Sequence, residues 1–360
     1  MLTLIIFVIV LSILIFVHEL GHFIFAKRAG MKVEEFGFGF PPRILGLKRN
    51  GTIYSLNWIP FGGFVKIFGE DGEHARETGS FGSAPARIRA MVLIAGVLMN
   101  FLLAVVLLTI GNTVGLRVGL VDEQIKAKAR DIKVQIIQIA ENSPAEEADL
   151  RALDEIIAVR VNSNRTTIKT VPQMQNVINS YRGREITLEI ADSVTVRDVN
   201  VVPRVNPPPG QGALGILLAE TGIVKYPWYL AAIKGIENSF YILKETVIGY
   251  ATIIKNLFVT GRAGVELTGP VGIAMITGQA ARLGFAYLIQ LMALISINLA
   301  VLNIIPFPAL DGGRLLFVLI EKIKGSPVPK KIEAGINAAG FMLLIMLMIF
   351  ITTKDLLKFF

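Results

Sequence analysis

Leu4-Ile5-Ile6-Phe7-Val8-Ile9-Val10-Leu11-Ser12-Ile13-Leu14-Ile15-Phe16-Val17-His18-Glu19-Leu20-Gly21-His22-Phe23-Ile24-Phe25-Ala26 decides the reading of this chain. As a helix rising about 1.5 Å per residue, the run is long enough to cross a bilayer. Yet it carries two imidazoles and a carboxylate. Such groups near mid-bilayer cost about 2.5–3.5 kcal/mol each on insertion scales, so they call for a compensating partner. His18 and His22 stand four residues apart, on one face of the helix. Neutral imidazoles so placed suit one zinc ion, with a carboxylate as third ligand and a fourth position left for water. Glu19 is adjacent to a ligand and can take a proton from that water, the mechanical content of a His-Glu-x-x-His pattern. A hydrogen-bonded histidine pair in a helix bundle is the plainer alternative.

Working outward, the 360 residues are 53% hydrophobic with a net charge of +8 and no cysteine. That hydropathy points to several membrane spans. Disulfides and thiolate metal sites are excluded. The excess of Lys and Arg clusters beside apolar segments, and no nucleic-acid-binding motif accompanies it, so the basic balance reads as membrane-related. The first run has no positive n-region and no small-residue cleavage site, and is expected to be a retained span rather than a signal peptide.

Four spans are expected, at 1–26, 90–111, 284–305 and 335–352. Lys27, Arg28 and Lys32 follow the first, and Arg87 and Arg89 precede the second. Arg314, Lys322, Lys324, Lys330 and Lys331 lie between the last two. By the positive-inside rule these segments are cytoplasmic, both termini are outside and the stretch 112–283 is extracytoplasmic.

Segment 31–85 contains Phe36-Gly37-Phe38-Gly39-Phe40, Ile53-Tyr54-Ser55-Leu56 and Trp58-Ile59-Pro60-Phe61-Gly62-Gly63-Phe64-Val65. Short apolar runs bounded by Gly and Pro read as a small sheet against the membrane face. Segment 119–204 reads as an α+β domain. Val134–Ile139 and Glu155–Val161 are strand-like, and Ser143-Pro144-Ala145 opens a short helix. Val171–Tyr181 is a second helix, with Glu185–Ile190 and Ser193–Val202 a closing hairpin. Pro207-Pro208-Pro209-Gly210 reads as a linker. In 228–258 one apolar stripe runs from Ile233 to Leu257 at helical spacing, predicting an amphipathic helix on the membrane surface or against the spans. Gly69-Glu70-Asp71-Gly72-Glu73-His74 reads as a solvated loop without calcium-loop spacing.

A third metal ligand must come from elsewhere in the membrane. The candidate is Asp311, in Asn303-Ile304-Ile305-Pro306-Phe307-Pro308-Ala309-Leu310-Asp311-Gly312-Gly313. Pro306 and Pro308 break the third span there, and Gly312 and Gly313 permit a close turn before the next helix. A turn aspartate capping that helix is the simpler reading of the same residue, but a histidine pair in need of a carboxylate favours the ligand.

With both motifs in hand, the sequence resembles the site-2 protease family of intramembrane zinc metalloproteases, near the bacterial sigma-E-regulator type with one PDZ domain. His18-Glu19-Leu20-Gly21-His22 matches the family's zinc motif, and Asn303 to Gly313 matches its Asn-x-x-Pro-x-Pro-x-Leu-Asp-Gly motif. Pro60 to Lys66 resembles its membrane-associated β region, and Gly269-Pro270-Val271-Gly272-Ile273-Ala274 its segment before the third span. Ser143-Pro144-Ala145 matches the PDZ pattern. Asp149-Leu150 and Leu153-Asp154 depart from the usual Gly-Leu and Gly-Asp, and Ala95-Gly96-Val97 departs from Ala-Gly-Pro.

The resemblance implies an α-helical membrane protein with four transmembrane helices, a small membrane-associated β region and an inserted α+β PDZ domain. It divides the chain into 1–27, a span with the zinc motif; 28–89, the cytoplasmic β region; 90–116, the second span; and 119–204, the PDZ domain. There follow 205–283, a linker, amphipathic helix and loop; 284–313, the third span with its Asn/Asp motif; and 335–353, the fourth. It implies one zinc held by His18, His22 and Asp311, Glu19 as the catalytic base, and Asn298 and Asn303 as holders of the substrate backbone. Those two amides could instead satisfy carbonyls of the broken helix. The implied activity is hydrolysis of a peptide bond within or near the transmembrane segment of single-span membrane proteins, such as an anti-sigma factor or a signal-peptide remnant, in regulated intramembrane proteolysis. The setting is the bacterial inner membrane, the active site lying near its cytoplasmic side. The implied partners are that substrate, the lipid bilayer and a ligand for the PDZ domain, and not nucleic acid. The alternative is a membrane metal transporter or zinc-dependent receptor with a PDZ adaptor; concentration of the polar groups beside Glu19, rather than along a path across several spans, favours hydrolysis.

Overall fold

The computed structural model describes residues 2–70, 74, 77–120, 122–162, 164–191, 195–261, 268–326 and 328–357. The chain begins with helix α1 (Leu2–Arg28), strands β1 (Val33–Arg49) and β2 (Thr52–Ile67) and helix α2 (Ala86–Val114). Next come β3 (Leu116–Gly119), α3 (Glu123–Lys128), β4 (Arg130–Ile139), α4 (Pro144–Glu147), β5 (Glu155–Val161), β6 (Asn164–Thr167) and α5 (Val171–Ser180). After β7 (Ile186–Ala191), β8 (Val196–Val201) and β9 (Ile216–Val224), the rest is helical: α6 (Trp228–Thr260), α7 (Pro270–Leu283), α8 (Phe285–Ile304), α9 (Asp311–Lys324) and α10 (Lys330–Leu357).

Four helices, α1, α2, α8 and α10, are long and apolar enough to cross a membrane. These are the four expected spans. Helix α2 starts at Ala86 and α10 at Lys330, earlier than hydropathy places them. Backbone hydrogen bonding continues past the apolar stretch, where Arg and Lys side chains can reach headgroups.

Two compact units make up the chain. The first holds Met1–Ile110, Ala232–Ala281 and Leu288–Phe360. In it α1, α2 and α8 interlock through Val10, Leu14 and Met292, with Leu103, Leu107, Leu288, Ile295 and Leu299 around them. Such packing in lipid rests on close van der Waals contact, because hydrocarbon outside is as apolar as the interface. Glycine supplies that closeness: a Cβ on Gly21 of α1 would collide with the Ala95 carbonyl of α2.

The sheet expected in segment 31–85 forms, but each of its strands folds back on itself. Residues 33–38 pair with 63–67 on one side and with 53–56 on the other, while 43–49 pair with 52–57. The turn is Asn50-Gly51, both with positive φ (49° and 78°), the backbone that a tight hairpin needs. One outer edge runs along α1: the Ser12 hydroxyl donates to the Pro60 carbonyl (2.5 Å) and accepts from the Gly62 amide (3.2 Å). This gives Ser12, which interrupts the otherwise apolar Leu4 to Val17, a structural role.

Helix α6 is a single helix of 33 residues. It packs against α2 through Phe101 and Phe240, whose ring centres lie 5.0 Å apart, and through Gly235, which leaves room for Thr109.

The second unit holds Gly111–Ala231 and Arg282–Tyr287. Its sheet runs in the order β3-β9-β4-β5-β7-β8, with β6 paired to β5. Ile136, Ile156, Met174, Ile186, Leu188 and Ile190 fill the core. The Ser143 side chain caps α4 by accepting from Glu146 N, with Pro144 in its first turn. The expected range 119–204 leaves out β9, which lies inside the sheet between β3 and β4. Pro207–Gly210 therefore leads into a strand of the same unit rather than out of it. Its Gly- and Pro-rich approach reads as loop locally, and only pairing on both sides makes β9 a strand. Residues 193–194 of the expected hairpin and 71–73 of the acidic stretch lie outside the described residues. His74 is exposed, its Nδ1 2.5 Å from Glu77 Oε1.

Candidate active site

His18 and His22 lie on the face of α1 turned toward α2, and both are only 7% exposed. Their ring centres are 4.8 Å apart. Gly96 of α2 admits them: a Cβ there would overlap His22 Nε2 and stand 2.7 Å from His18 Cε1. The Val92 carbonyl, one turn earlier, accepts a hydrogen bond from His22 Nδ1 at 2.8 Å. Since a carbonyl only accepts, that proton sits on Nδ1, and neutral His22 presents a lone pair at Nε2.

Asp311 reaches the same point from the first residue of α9. Gly312 and Gly313 make this possible, because a Cβ on either would collide with carbonyls of Ile304, Ile305 or Phe307. The break after α8 thus folds tightly enough to aim Asp311 back at α1. Oδ2 of Asp311 lies 2.9 Å from His18 Nε2 and 3.2 Å from His22 Nε2, and the two Nε2 atoms are 3.1 Å apart. The neighbouring Arg314 pairs with Glu70, and Arg89 of α2 holds Glu321 of α9 at 2.5 Å. The first pair ties the first turn of α9 to the loop after β2, and the second ties its last turns to the start of α2.

This triangle fits a metal. Tetrahedral zinc bonds of about 2.0–2.1 Å place neighbouring ligand atoms about 3.3 Å apart. With His22 Nδ1–H committed to Val92, its Nε2 lone pair faces a carboxylate oxygen, acceptor against acceptor. A cation at the common focus removes that conflict. His18, His22 and Asp311 form the metal-competent cluster among the described residues. The three residues span 293 positions of the chain.

Glu19 sits beside the cluster. Its Oε2 accepts from the Val65 amide of β2 at 3.1 Å, leaving Oε1 uncommitted by that bond. The sheet edge therefore holds the carboxylate that could move a proton.

Of the two implied substrate amides, Asn298 has partners: Oδ1 accepts from the Tyr250 hydroxyl of α6 at 3.0 Å, and Nδ2 donates to the Leu294 carbonyl at 2.8 Å. Asn303 is half-buried near the end of α8. Neither hydrogen-bonds the histidine–aspartate cluster among the described residues.

Asn100 and Gly96 received no role from sequence, although an amide in the second span was a signal in itself. Val92 and Val65 act through backbone atoms, which no side-chain motif reveals.

The model of the family described as Peptidase family M50 matches residues 6–347. The chain is 35% identical to a provisionally named zinc metalloprotease of Clostridium perfringens, over 96% of both chains. It is 30% identical to zinc metalloprotease RasP of Geobacillus kaustophilus, over 98% of this chain and 97% of the relative. It is also 30% identical to RasP of Oceanobacillus iheyensis over the full length of both. Four membrane-length helices, a buried metal-competent triad with a carboxylate at its side, and a family match over nearly the whole length lead to one conclusion: the chain belongs to peptidase family M50, the site-2 proteases, and is an integral membrane zinc metalloprotease.

Proposed function

We propose that this protease cleaves a peptide bond within or next to the membrane-spanning segment of single-span membrane proteins. The observation that carries the reading is the site's address. Its side chains are borne by α1 and by the first residue of α9, beside helices long and apolar enough to cross a membrane. A soluble peptide has no reason to meet zinc there; a membrane-spanning one does.

His18, His22 and Asp311 would hold the zinc, which when bound acts as a Lewis acid and brings the pKa of its water toward about 7. Glu19, held by Val65, would accept the proton of the attacking water and pass one to the leaving amine, the ordinary double duty of a general base. The surrounding helices exclude bulk water, which strengthens each of these interactions. The substrate helix must open to expose its carbonyl, and its freed backbone groups then need partners in a dry site. Asn303 would be one, and Asn298 another on giving up Tyr250.

We read the cytoplasmic end of α1 as the side on which water enters, with both termini and the second unit extracytoplasmic in a bacterial inner membrane. That rests on the Lys and Arg bias at the span ends. The second unit reads as a PDZ domain, supported by the capped α4 at Ser143-Pro144-Ala145 and by the strand-rich sheet around α5. Its size could screen out substrates that still carry an outer domain, or its groove could take a peptide end.

The test compares membranes of cells carrying wild type or Glu19→Gln. Single-span proteins already trimmed outside should accumulate in the variant. If none does, while the purified variant is inactive on peptides, the reading of the substrate class fails.

A further inference from the structure

Helix α2 brings an amide to the histidines that the zinc motif does not contain. Asn100 is 0% exposed, one turn beyond Gly96. Its Nδ2 lies 3.4 Å from His18 Nδ1, on the side of the ring away from Asp311. Its main-chain carbonyl accepts from the Ser296 hydroxyl of α8 at 2.7 Å, which fixes the backbone at this point. Its side-chain oxygen, Oδ1, is buried with no hydrogen-bond partner.

Two facts conflict in this arrangement. A buried amide oxygen without a donor costs about 1–3 kcal/mol. An amide N–H directed at Nδ1 would also put the lone pair of His18 on Nδ1 and its proton on Nε2, the atom that faces Asp311 and His22. His18 could not then ligate through Nε2. Turning the amide by half a revolution exchanges two groups of nearly equal shape: it gives the oxygen a donor, frees Nε2 of His18, and moves Nδ2 to the place where Oδ1 stood. Oδ1 then accepts from His18 Nδ1–H, and the Nε2 lone pair points at the focus of the triad. Val92 imposes the same tautomer on His22.

We propose that Asn100 is the positioning residue of His18: its side-chain oxygen accepts the Nδ1 proton and holds Nε2 as the metal-binding atom. The two histidines are thus set from one helix, His22 by a backbone carbonyl and His18 by a side chain. Gly96 provides the close approach that both contacts need. The inference rests on His18 being a zinc ligand.

The experiment measures zinc affinity of the purified full-length chain by competition with a chelator. Asn100→Leu keeps volume and removes the acceptor; Asn100→Asp keeps the acceptor. Loss of such an outer partner lowers metal affinity about 10–100-fold, and that is expected for Asn100→Leu, with Asn100→Asp restoring it. Leu is close to Asn in volume, so the metal-free Leu variant should stay folded, which thermal melting checks. Wild-type affinity in Asn100→Leu, or equal loss in Asn100→Asp, overturns the proposal. His18→Ala is measured alongside: if it retains full affinity, the ligand assignment has failed rather than the positioning. If Asn100→Leu does not fold, histidine-selective nitrogen NMR of zinc-loaded wild type decides. A protonated Nδ1 on His18 supports the assignment, and an unprotonated one overturns it.

Discussion

Asp311 and Glu189 are both carboxylates flanked by two basic side chains, in different units of the molecule. Glu189 takes bonds from Arg160 and Arg165 at 2.7 Å each, and Arg165 adds a second contact through Nε. Arg165 first, and Arg160 after it, hold its pKa at about 2, against an ordinary value of 4.5. Guanidinium is permanently charged and its planar fork fills the carboxylate's acceptor sites. That cluster is complete as it stands. Asp311 faces two imidazoles instead, and one of them has given its proton to a backbone carbonyl. Acceptor atoms converge there, an arrangement that suits a cation. Closing a sheet uses partners of fixed opposite charge; holding a metal uses partners with no proton to give.

The sharpest way to break that comparison is at Glu19. Glu19→Gln removes a proton acceptor but no donor of the triangle. Purified variant should keep stoichiometric zinc and lose about 10²–10⁴-fold in turnover, the usual worth of a general base. Comparable turnover would remove Glu19 from the chemistry. Asp311→Asn and His18→Ala act on the focus itself, and substoichiometric zinc by metal analysis is the expected result. Full occupancy in either would show that the ion is held elsewhere.

A smaller effect is expected from Gly96→Ala. Its methyl group would overlap His22, and forcing extra volume into a packed interface costs about 1–3 kcal/mol. Zinc affinity and thermal stability should fall together, and an unchanged variant would mean that α1 and α2 can separate freely. The smallest effect belongs to the arginine cluster. The folded pKa of Glu189 is depressed, so its contribution is present above the unfolded value of about 4.5 and is lost as pH falls toward about 2. Glu189→Gln should therefore cost about 1 kcal/mol or less at neutral pH, as partly exposed ion pairs do. The difference from wild type should shrink as pH falls below 4.5 and vanish below about pH 2. A gap that persists in acid would assign the loss to packing.

Much of this was legible along the chain because two periodicities were strong. Apolar runs of membrane length marked α1, α2, α8 and α10, and helical spacing put His18 and His22 on one face. In the second unit, β4, β5, β7 and α5 showed through alternation and caps. Strand β9 did not, since its neighbours β3 and β4 come from distant sequence and its approach is rich in Pro and Gly. The sheet of β1 and β2 was expected as short strands, but its doubled-back pairing depends on which edges meet.

The sequence by itself determined the membrane-length apolar runs, the histidine pair on one helix face and the carboxylates at either end of the chain that suit it, because each depends on residue type and local spacing. Only the tertiary structure decided which atoms converge. The tautomer of His22 follows from a carbonyl on another helix, Glu19 is held by an amide of the sheet, and Asn100 meets His18 only because Gly96 lets α2 come close. Those are contacts between segments, set by the fit of surfaces rather than by the order of residues.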